Sequence, residues 1–260
     1  MPEITEYHRP HTLEEALALL ARGHVISAPI GGGSQLIAAD RRDITAVVDL
    51  SELGLSYVRR EADQLRVGAT TTLQMLIDLP DARAAWQGEL ARVAEQTAAR
   101  NLREQGTLAG TLVSAESNNP LAVALLAVEA SLTLMPGPRS VALDEFLSKR
   151  AALLVGSLIT EVTIPLNGSH ERLAFEKVSR TPADLPIVCA AVRARVENRA
   201  AHDARIVLGG VADTPIVMHD PEREIPGLQP PSDFWGTAEY RRAMAGVLSR
   251  RAVQRLVSGP

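Results

Sequence analysis

The chain has a single cysteine among its 260 residues, Cys189. One thiol excludes an intrachain disulfide and any four-thiolate iron–sulfur cluster held by this chain alone. Its surroundings, Ile187-Val188-Cys189-Ala190-Ala191-Val192, mark a buried structural thiol rather than a reactive one. Aromatic residues make up only 3% of the chain, so few side chains can stack on a planar ligand. Long apolar runs are missing as well: none approaches the ~18 residues needed to span a bilayer, and no transmembrane segment is expected. The start, Met1-Pro2-Glu3-Ile4-Thr5-Glu6, has neither a basic n-region nor an apolar h-region, which points to the cytoplasm. Positive charge is sparse. With 27 Lys and Arg against 31 Asp and Glu the net charge is −4, and no basic run exceeds two or three residues. No nucleic-acid partner is therefore expected.

Familiar motifs are absent too. There is no GxGxxG and no GxxxxGKS/T, which closes the Rossmann and P-loop routes to a nucleotide. The six histidines (His8, His11, His24, His170, His202 and His219) form no HxxxH or HExxH arrangement, and no metal site is expected. GxSxG does not occur, and no nucleophile–base–acid set is visible, so no catalytic residue is assigned.

What the chain does have is a pair of small-residue turns about seventy positions apart. The first, Ile30-Gly31-Gly32-Gly33-Ser34-Gln35-Leu36, follows the short apolar run Val25-Ile26-Ser27-Ala28. The second, Gly106-Thr107-Leu108-Ala109-Gly110-Thr111-Leu112, follows a helical pattern carrying Arg100 and Arg103. Residues without bulky side chains let a backbone approach a phosphate and aim its N–H groups there. A Gly-Gly-Gly-Ser run by itself more often marks a flexible turn. Two such turns converging on one diphosphate would make a dinucleotide site without a Rossmann helix. Arg100, Arg103 and Lys177 are candidate phosphate partners, and each reads equally as a solvated surface charge.

A composition of 46% hydrophobic and 22% charged residues is that of an ordinary globular protein, long enough for two or three compact domains. Thr12-Leu13-Glu14-Glu15 is a capping box, and Leu13, Ala16, Leu17 and Leu20 follow at helical spacing up to Gly23. Strands are expected at Val25–Ile30 and Ala46–Leu50, with the glycine turn at a strand end. Further on, Thr70–Asp78 and Glu89–Ala99 read as helices and Leu121–Ala130 as a buried one. Leu132–Leu134, Ser140–Leu143 and Ile159–Ile164 read as strands. Asn167-Gly168-Ser169 is a boundary turn, and Thr181-Pro182-Ala183-Asp184 a surface turn. Leu173–Val178, Pro186–Val196 and Ala204–Val211 form a three-stranded antiparallel meander, Pro221–Pro231 a loop. A final amphipathic helix, Ala238–Leu256, places Tyr240, Met244, Val247, Leu248 and Ala252 on one side.

In order along the chain, Tyr7-His8-Arg9-Pro10, Thr12–Ala16, Gly32–Leu36, Val48-Asp49-Leu50, Val67–Thr71 and Gly106–Leu112 resemble one known family. Phe175-Glu176-Lys177, Asp184, Ala190–Val192, Ala204–Val211 and Tyr240-Arg241-Arg242 extend the resemblance over essentially the whole length. The chain resembles the FAD-binding (medium) subunit of molybdenum hydroxylases, of the carbon monoxide dehydrogenase and xanthine dehydrogenase type. The resemblance implies an α+β chain. An FAD-binding PCMH-type domain would span residues 1–168, in two α/β subdomains of about 1–55 and 56–168. A small C-terminal domain, 169–260, would hold a three-stranded antiparallel sheet and a helix. It further implies FAD as cofactor, with the diphosphate wrapped largely by backbone N–H groups at Ile30, Gly31, Gly32, Gly33, Ser34, Gln35, Leu36, Thr107, Ala109, Gly110 and Thr111, and Lys177 nearby.

The family's turns usually read Ala-Gly-Gly-Thr-Asp-Leu and Thr-Ile-Gly-Gly-Asn-Leu. Here Gln35 stands at the acidic or polar position, Ala109 replaces a glycine and Thr111 the asparagine. Pro120 stands where the family has an aspartate near the flavin, and Phe175 is the expected aromatic beside the ring. Implied partners are an iron–sulfur subunit and a molybdopterin subunit, with FAD relaying electrons from the former to an external acceptor. The alternative is a stand-alone member with a repurposed flavin site that catalyses another, non-redox step on a small molecule.

Overall fold

A computed structural model of the chain describes residues 4–38, 43–182 and 184–258. Met1–Glu3 of the N-terminal reading and Ala183 of the Thr181–Asp184 turn lie outside them.

The N-terminal region is a small parallel α/β unit. Its elements are β1 (Glu6–His8), α1 (Leu13–Leu20), β2 (Ser27–Ile30), α2 (Ser34–Ala38) and β3 (Ala46–Asp49), with β3 central in the order β1-β3-β2. Thr12 caps α1 by accepting the N–H of Glu15, and Glu15 turns its carboxylate back to the N–H of His11. Ala16 of α1 packs with Val48 and Leu50 and, across the boundary, with Leu158.

The middle region holds β4 (Val58–Glu61), β5 (Gln64–Gly68), α3 (Leu73–Asp78), α4 (Pro80–Ala84), α5 (Glu89–Glu95), α6 (Arg100–Arg103), α7 (Leu108–Val113), α8 (Pro120–Ala127), β6 (Ser131–Met135), β7 (Arg139–Ala142), α9 (Leu143–Leu153) and β8 (Leu158–Pro165). Its sheet is antiparallel, ordered β4-β5-β8-β6-β7. Leu65 and Val67, and likewise Leu132 and Leu134, alternate inward as a half-covered sheet requires. Helix α8 is buried along its whole length, which its unbroken apolar sequence dictates.

The C-terminal region adds β9 (Glu171–Val178), β10 (Val188–Glu197), β11 (Ala200–Gly209), β12 (Ile216–Met218), α10 (Pro221–Glu224) and α11 (Ala238–Ser258). The expected three-stranded meander gains a fourth short strand, giving the order β12-β11-β10-β9. The run Val188–Val192 is buried on both sides because the sheet separates two helices. Cys189, Ala191 and Val207 join the core around α8, while Val188, Ala190, Val192 and Leu208 join the one under α11. Ionic contacts tie the end of α11 back to the middle region: Arg255 pairs with Glu89 of α5 and with Glu176 of β9.

Some boundaries move. The helix expected over Glu89–Ala99 stops at Glu95, and the Pro221–Pro231 stretch contains the single turn α10. The buried side of α11 is Arg241, Ala245, Leu248, Ser249, Ala252 and Leu256. Tyr240, expected inside, is exposed. The face is turned because Arg241 finds buried acceptors, as described below.

Candidate flavin site

The two small-residue turns meet. β2 delivers the first at its carboxyl end, where Ile30 spends its carbonyl on the N–H of Leu50 (3.0 Å). A Cβ on Gly31 would lie 3.0 Å from the Thr107 methyl, and one on Gly32 would lie 1.6 Å from the Gln105 carbonyl oxygen. No side chain fits at position 32, because the second turn's backbone already fills that space. Gly33 has φ +71°, in the left-handed region that glycine enters without strain.

The backbone donors of the two turns are used differently. Among the described residues, the N–H groups of Gly31, Gly32, Gly33, Ser34 and Gln35 meet no protein acceptor. Successive unpaired N–H groups on a small-residue turn form an anion-binding concavity. In the second turn Leu108 donates to the Thr71 carbonyl (2.8 Å), Ala109 to that of Ala69 (3.2 Å) and Gly110 to the Thr107 hydroxyl (3.2 Å). A Cβ on Gly110 would stand 2.8 Å from that same hydroxyl. That leaves the Thr107 N–H and the half-buried Thr111 hydroxyl without protein partners on this side. The first turn therefore offers the cradle and the second buttresses it. A diphosphate fits this donor set.

Several expected residues have other occupations. Arg103 donates to the side chain of Gln74 (3.1 Å) and to the carbonyls of Glu95 and Ala98, fastening α6 rather than facing a ligand. Arg100 is exposed beside Glu104. Phe175 is 1% exposed and belongs to the core around α8; it cannot lie beside a flavin, because β9 turns it inward. Pro120 is the first residue of α8, buried, behind an Asn119 side chain that caps the Ala122 N–H.

Ala109 is the second residue of α7 and 8% exposed, so its methyl faces protein. Ala109→Gly is therefore expected to leave FAD affinity unchanged and to cost about 1 kcal/mol of stability from helix propensity. Isothermal titration and urea midpoints together check both halves.

α7 leads from the cradle to a cavity of about 470 Å³ between the two larger regions. Glu116, Ser117 and Asn118 line it on one side, Asp184, Leu185 and Ile187 on another, and Asp233, Trp235 and Arg241 close it. Lys177 reaches the same loop from behind, its ammonium donating to the carbonyls of Pro182 (2.9 Å) and Asp184 (3.5 Å), and burial pushes its pKa below the usual lysine value. Cys189, wholly buried and hydrogen-bonded to the Asn118 carbonyl, has its thiol pushed up to about 12 by burial, the state of an inert structural cysteine.

Arg241 is 4% exposed and donates to the carbonyls of Ile187 (2.6 Å) and Gly210 (2.9 Å) and to both carboxylate oxygens of Asp233 (2.8 and 2.7 Å). Those guanidinium bonds hold the Asp233 carboxyl below its ordinary pKa. A depressed carboxyl contributes stability above its unfolded-state pKa and loses it as pH falls through the folded one. The difference in melting temperature between the wild-type chain and Asp233→Asn is thus expected to be full at neutral pH and to shrink below about pH 4. A thermal melt series across that range measures it.

Sequence reasoning missed Asn118, Trp235 and the structural part of Arg241. The signal for Trp235 was present: Asp233-Phe234-Trp235-Gly236 sets two aromatics side by side in an aromatic-poor chain.

Among the described residues, three sheets, a glycine turn at the end of a parallel strand and a second turn packed on it fit a flavin-binding subunit. Residues 3–167 match the FAD binding domain in molybdopterin dehydrogenase, and residues 173–229 the CO dehydrogenase flavoprotein C-terminal domain. The chain belongs to this family of FAD-binding medium subunits of molybdenum hydroxylase-type oxidoreductases, and its cofactor is FAD. It is 30% identical to the carbon monoxide dehydrogenase medium chain of Afipia carboxidovorans, over 98% of this chain and 97% of the other. It is also 30% identical to the uncharacterized protein YgfM of Escherichia coli, over 94% and 93%. Among solved structures it superposes with TM-score 0.90 and 25% identity on a chain of the carbon monoxide dehydrogenase of Hydrogenophaga pseudoflava that lacks the Mo-pyranopterin moiety, covering 99% of each. Among the described residues no helix is long and apolar enough to cross a membrane.

Proposed function

We propose that the chain is the electron-transfer subunit of a cytoplasmic molybdenum hydroxylase-type enzyme, passing electrons from an iron–sulfur partner chain to an external acceptor. The observation that carries this reading is the row of five unpaired backbone N–H groups from Gly31 to Gln35, set at a strand end and braced by the Thr107 turn. These groups bind the FAD diphosphate, with the Thr107 N–H and the Thr111 hydroxyl on the opposite side. Backbone donors need no counter-charge, which suits a chain of net charge −4. Ile30 and Leu36 flank the cradle, and α7 directs the rest of the cofactor toward the cavity at Asn118 and Asp184. Lys177 holds the carbonyls of Pro182 and Asp184 behind it.

FAD supplies the redox chemistry when bound. The protein's part is to hold and orient it, and no side chain of this chain need act as acid or base. The electron donor must lie on another chain, since a single buried cysteine holds no cluster. Supporting a partnered role, the relatives carry the names of medium chains and subunits. Obligate interfaces of that kind bury upwards of about 2,000 Å².

The test is purification from the native source. The expected result is one FAD per chain, co-purifying with an iron–sulfur subunit and a molybdopterin subunit. A native, active, iron- and molybdenum-free monomer or homodimer overturns the relay and favours the stand-alone alternative.

A further inference from the structure

Trp235 is mounted where burial gives an indole little. It is 48% exposed, and Phe234 beside it is exposed as well. The chain's other tryptophan, Trp86, shows the contrasting case: 1% exposed, in the core, its indole N–H donating to the Pro165 carbonyl (2.9 Å). Trp235 is nevertheless held tightly, by charge. The Asp233 carboxylate accepts the N–H groups of Trp235 (2.8 Å) and Gly236 (3.1 Å), and Arg241 anchors that carboxylate to the buried ends of the β10 and β11 segment. The Arg180 guanidinium lies over the indole, 4.0 Å from the ring centre, and pairs with Asp184 (3.6 Å). Four charged groups thus hold one aromatic ring at the wall of a cavity it does not fill.

Across the same cavity wall stands an unspent acceptor. Asn118 donates through Nδ2 to the Pro186 carbonyl (2.5 Å), while its Oδ1 is buried with no hydrogen-bond partner. A buried polar atom left unpaired calls for a missing partner. An aromatic wall and an amide acceptor in one cavity suit a planar heteroaromatic ring that carries an N–H on one edge. The redox ring of FAD is such a group, and the chain runs from the second turn through α7, a rise of about 9 Å over six residues, and reaches the cavity lining at Glu116 three residues later.

We propose that Trp235 is the aromatic platform for the flavin ring in this chain, in place of the buried Phe175, and that Asn118 Oδ1 accepts the ring's imide N–H. Arg180 holds the indole in its working position. This rests on the FAD reading above, and the experiment separates the two.

The full-length chain is loaded with FAD, and flavin emission is compared in the wild type, Trp235→Phe and Arg180→Gln. An indole in contact with a flavin quenches its fluorescence. Trp235→Phe is expected to raise flavin emission per bound FAD several-fold, and Arg180→Gln to raise it less. FAD loading is expected to lower tryptophan emission by a larger amount in the wild type than in Trp235→Phe. Asn118→Ala is expected to weaken FAD binding about three- to tenfold, the loss of one hydrogen bond. One FAD per chain with equal flavin emission in wild type and Trp235→Phe overturns the platform and leaves the FAD reading intact. A chain that takes up no FAD overturns both.

Discussion

Alanine at position 32 is expected to strip the chain of FAD while most of the fold survives. The added methyl would sit 1.6 Å from the Gln105 carbonyl oxygen, a distance no side chain tolerates, and the obstacle is backbone rather than a movable side chain. The two turns must separate, and the cradle loses its brace. Overpacking of this kind typically costs about 1–3 kcal/mol, which a domain of ordinary stability survives. Gly23→Ala is the control, since nothing lies within 4 Å of a Cβ there; its effect should stay within about 0.5 kcal/mol. The ratio of flavin to protein absorbance reads the binding, and denaturant midpoints read the stability. Full FAD occupancy in Gly32→Ala would show that the convergence of the turns is irrelevant to the cofactor. Gly33→Val does not serve for this purpose, because a β-branched residue at φ +71° strains the backbone as well.

The second large effect is expected at Arg241. Its replacement by methionine keeps much of the volume and removes every donor. The carbonyls of Ile187 and Gly210 then lose the partner they share, at about 1–3 kcal/mol for each buried acceptor left unsatisfied. The Asp233 turn is released at the same time. A loss of about 2–4 kcal/mol in chemical denaturation is expected, with Trp235 emission shifted toward that of a solvated indole already under native conditions. A midpoint unchanged in Arg241→Met would mean that α11 is held by its apolar side alone. Arg241→Lys should recover little, since a single ammonium cannot reach two carbonyls and a carboxylate in one plane.

Periodicity and punctuation carried most of the fold. The strand at Leu132–Leu134, the unbroken apolar run of α8 and the Thr12 cap each have one physical reading, and each is found as read. Strand β4 escaped because Val58-Arg59-Arg60-Glu61 is mostly exposed and carries almost no apolar signal. The facing of α11 was misread by one residue. An arginine reads as solvent-facing until its acceptors are known, and Ile187 and Gly210 lie far from it in sequence.

The turns themselves were legible as small-residue segments, but the reason for their glycines was not. Gly32 looked like room for a ligand; it is room for Gln105, a contact between segments seventy residues apart. Ala109, which replaces a glycine of the family's turn, is an ordinary helix residue. Phe175 and Pro120 stand where resemblance set them in order along the chain, yet packing turned one inward and made the other a helix start. Which backbone N–H groups remain unspent depends on tertiary pairing, and no single sequence displays that.

The sheet of β9 to β12 lends alternate residues to two different interiors, Cys189 and Ala191 to one, Ala190 and Val192 to the other. Two family descriptions divide the chain near Asn167, but heredity cannot divide it so freely. A recombination event that imported everything after Gly168 from a distant relative would bring a foreign surface against α8 and break the Arg255 pairing with Glu89. The two regions are therefore expected to accept core substitutions only in matched sets across that seam, since one sheet serves both interiors.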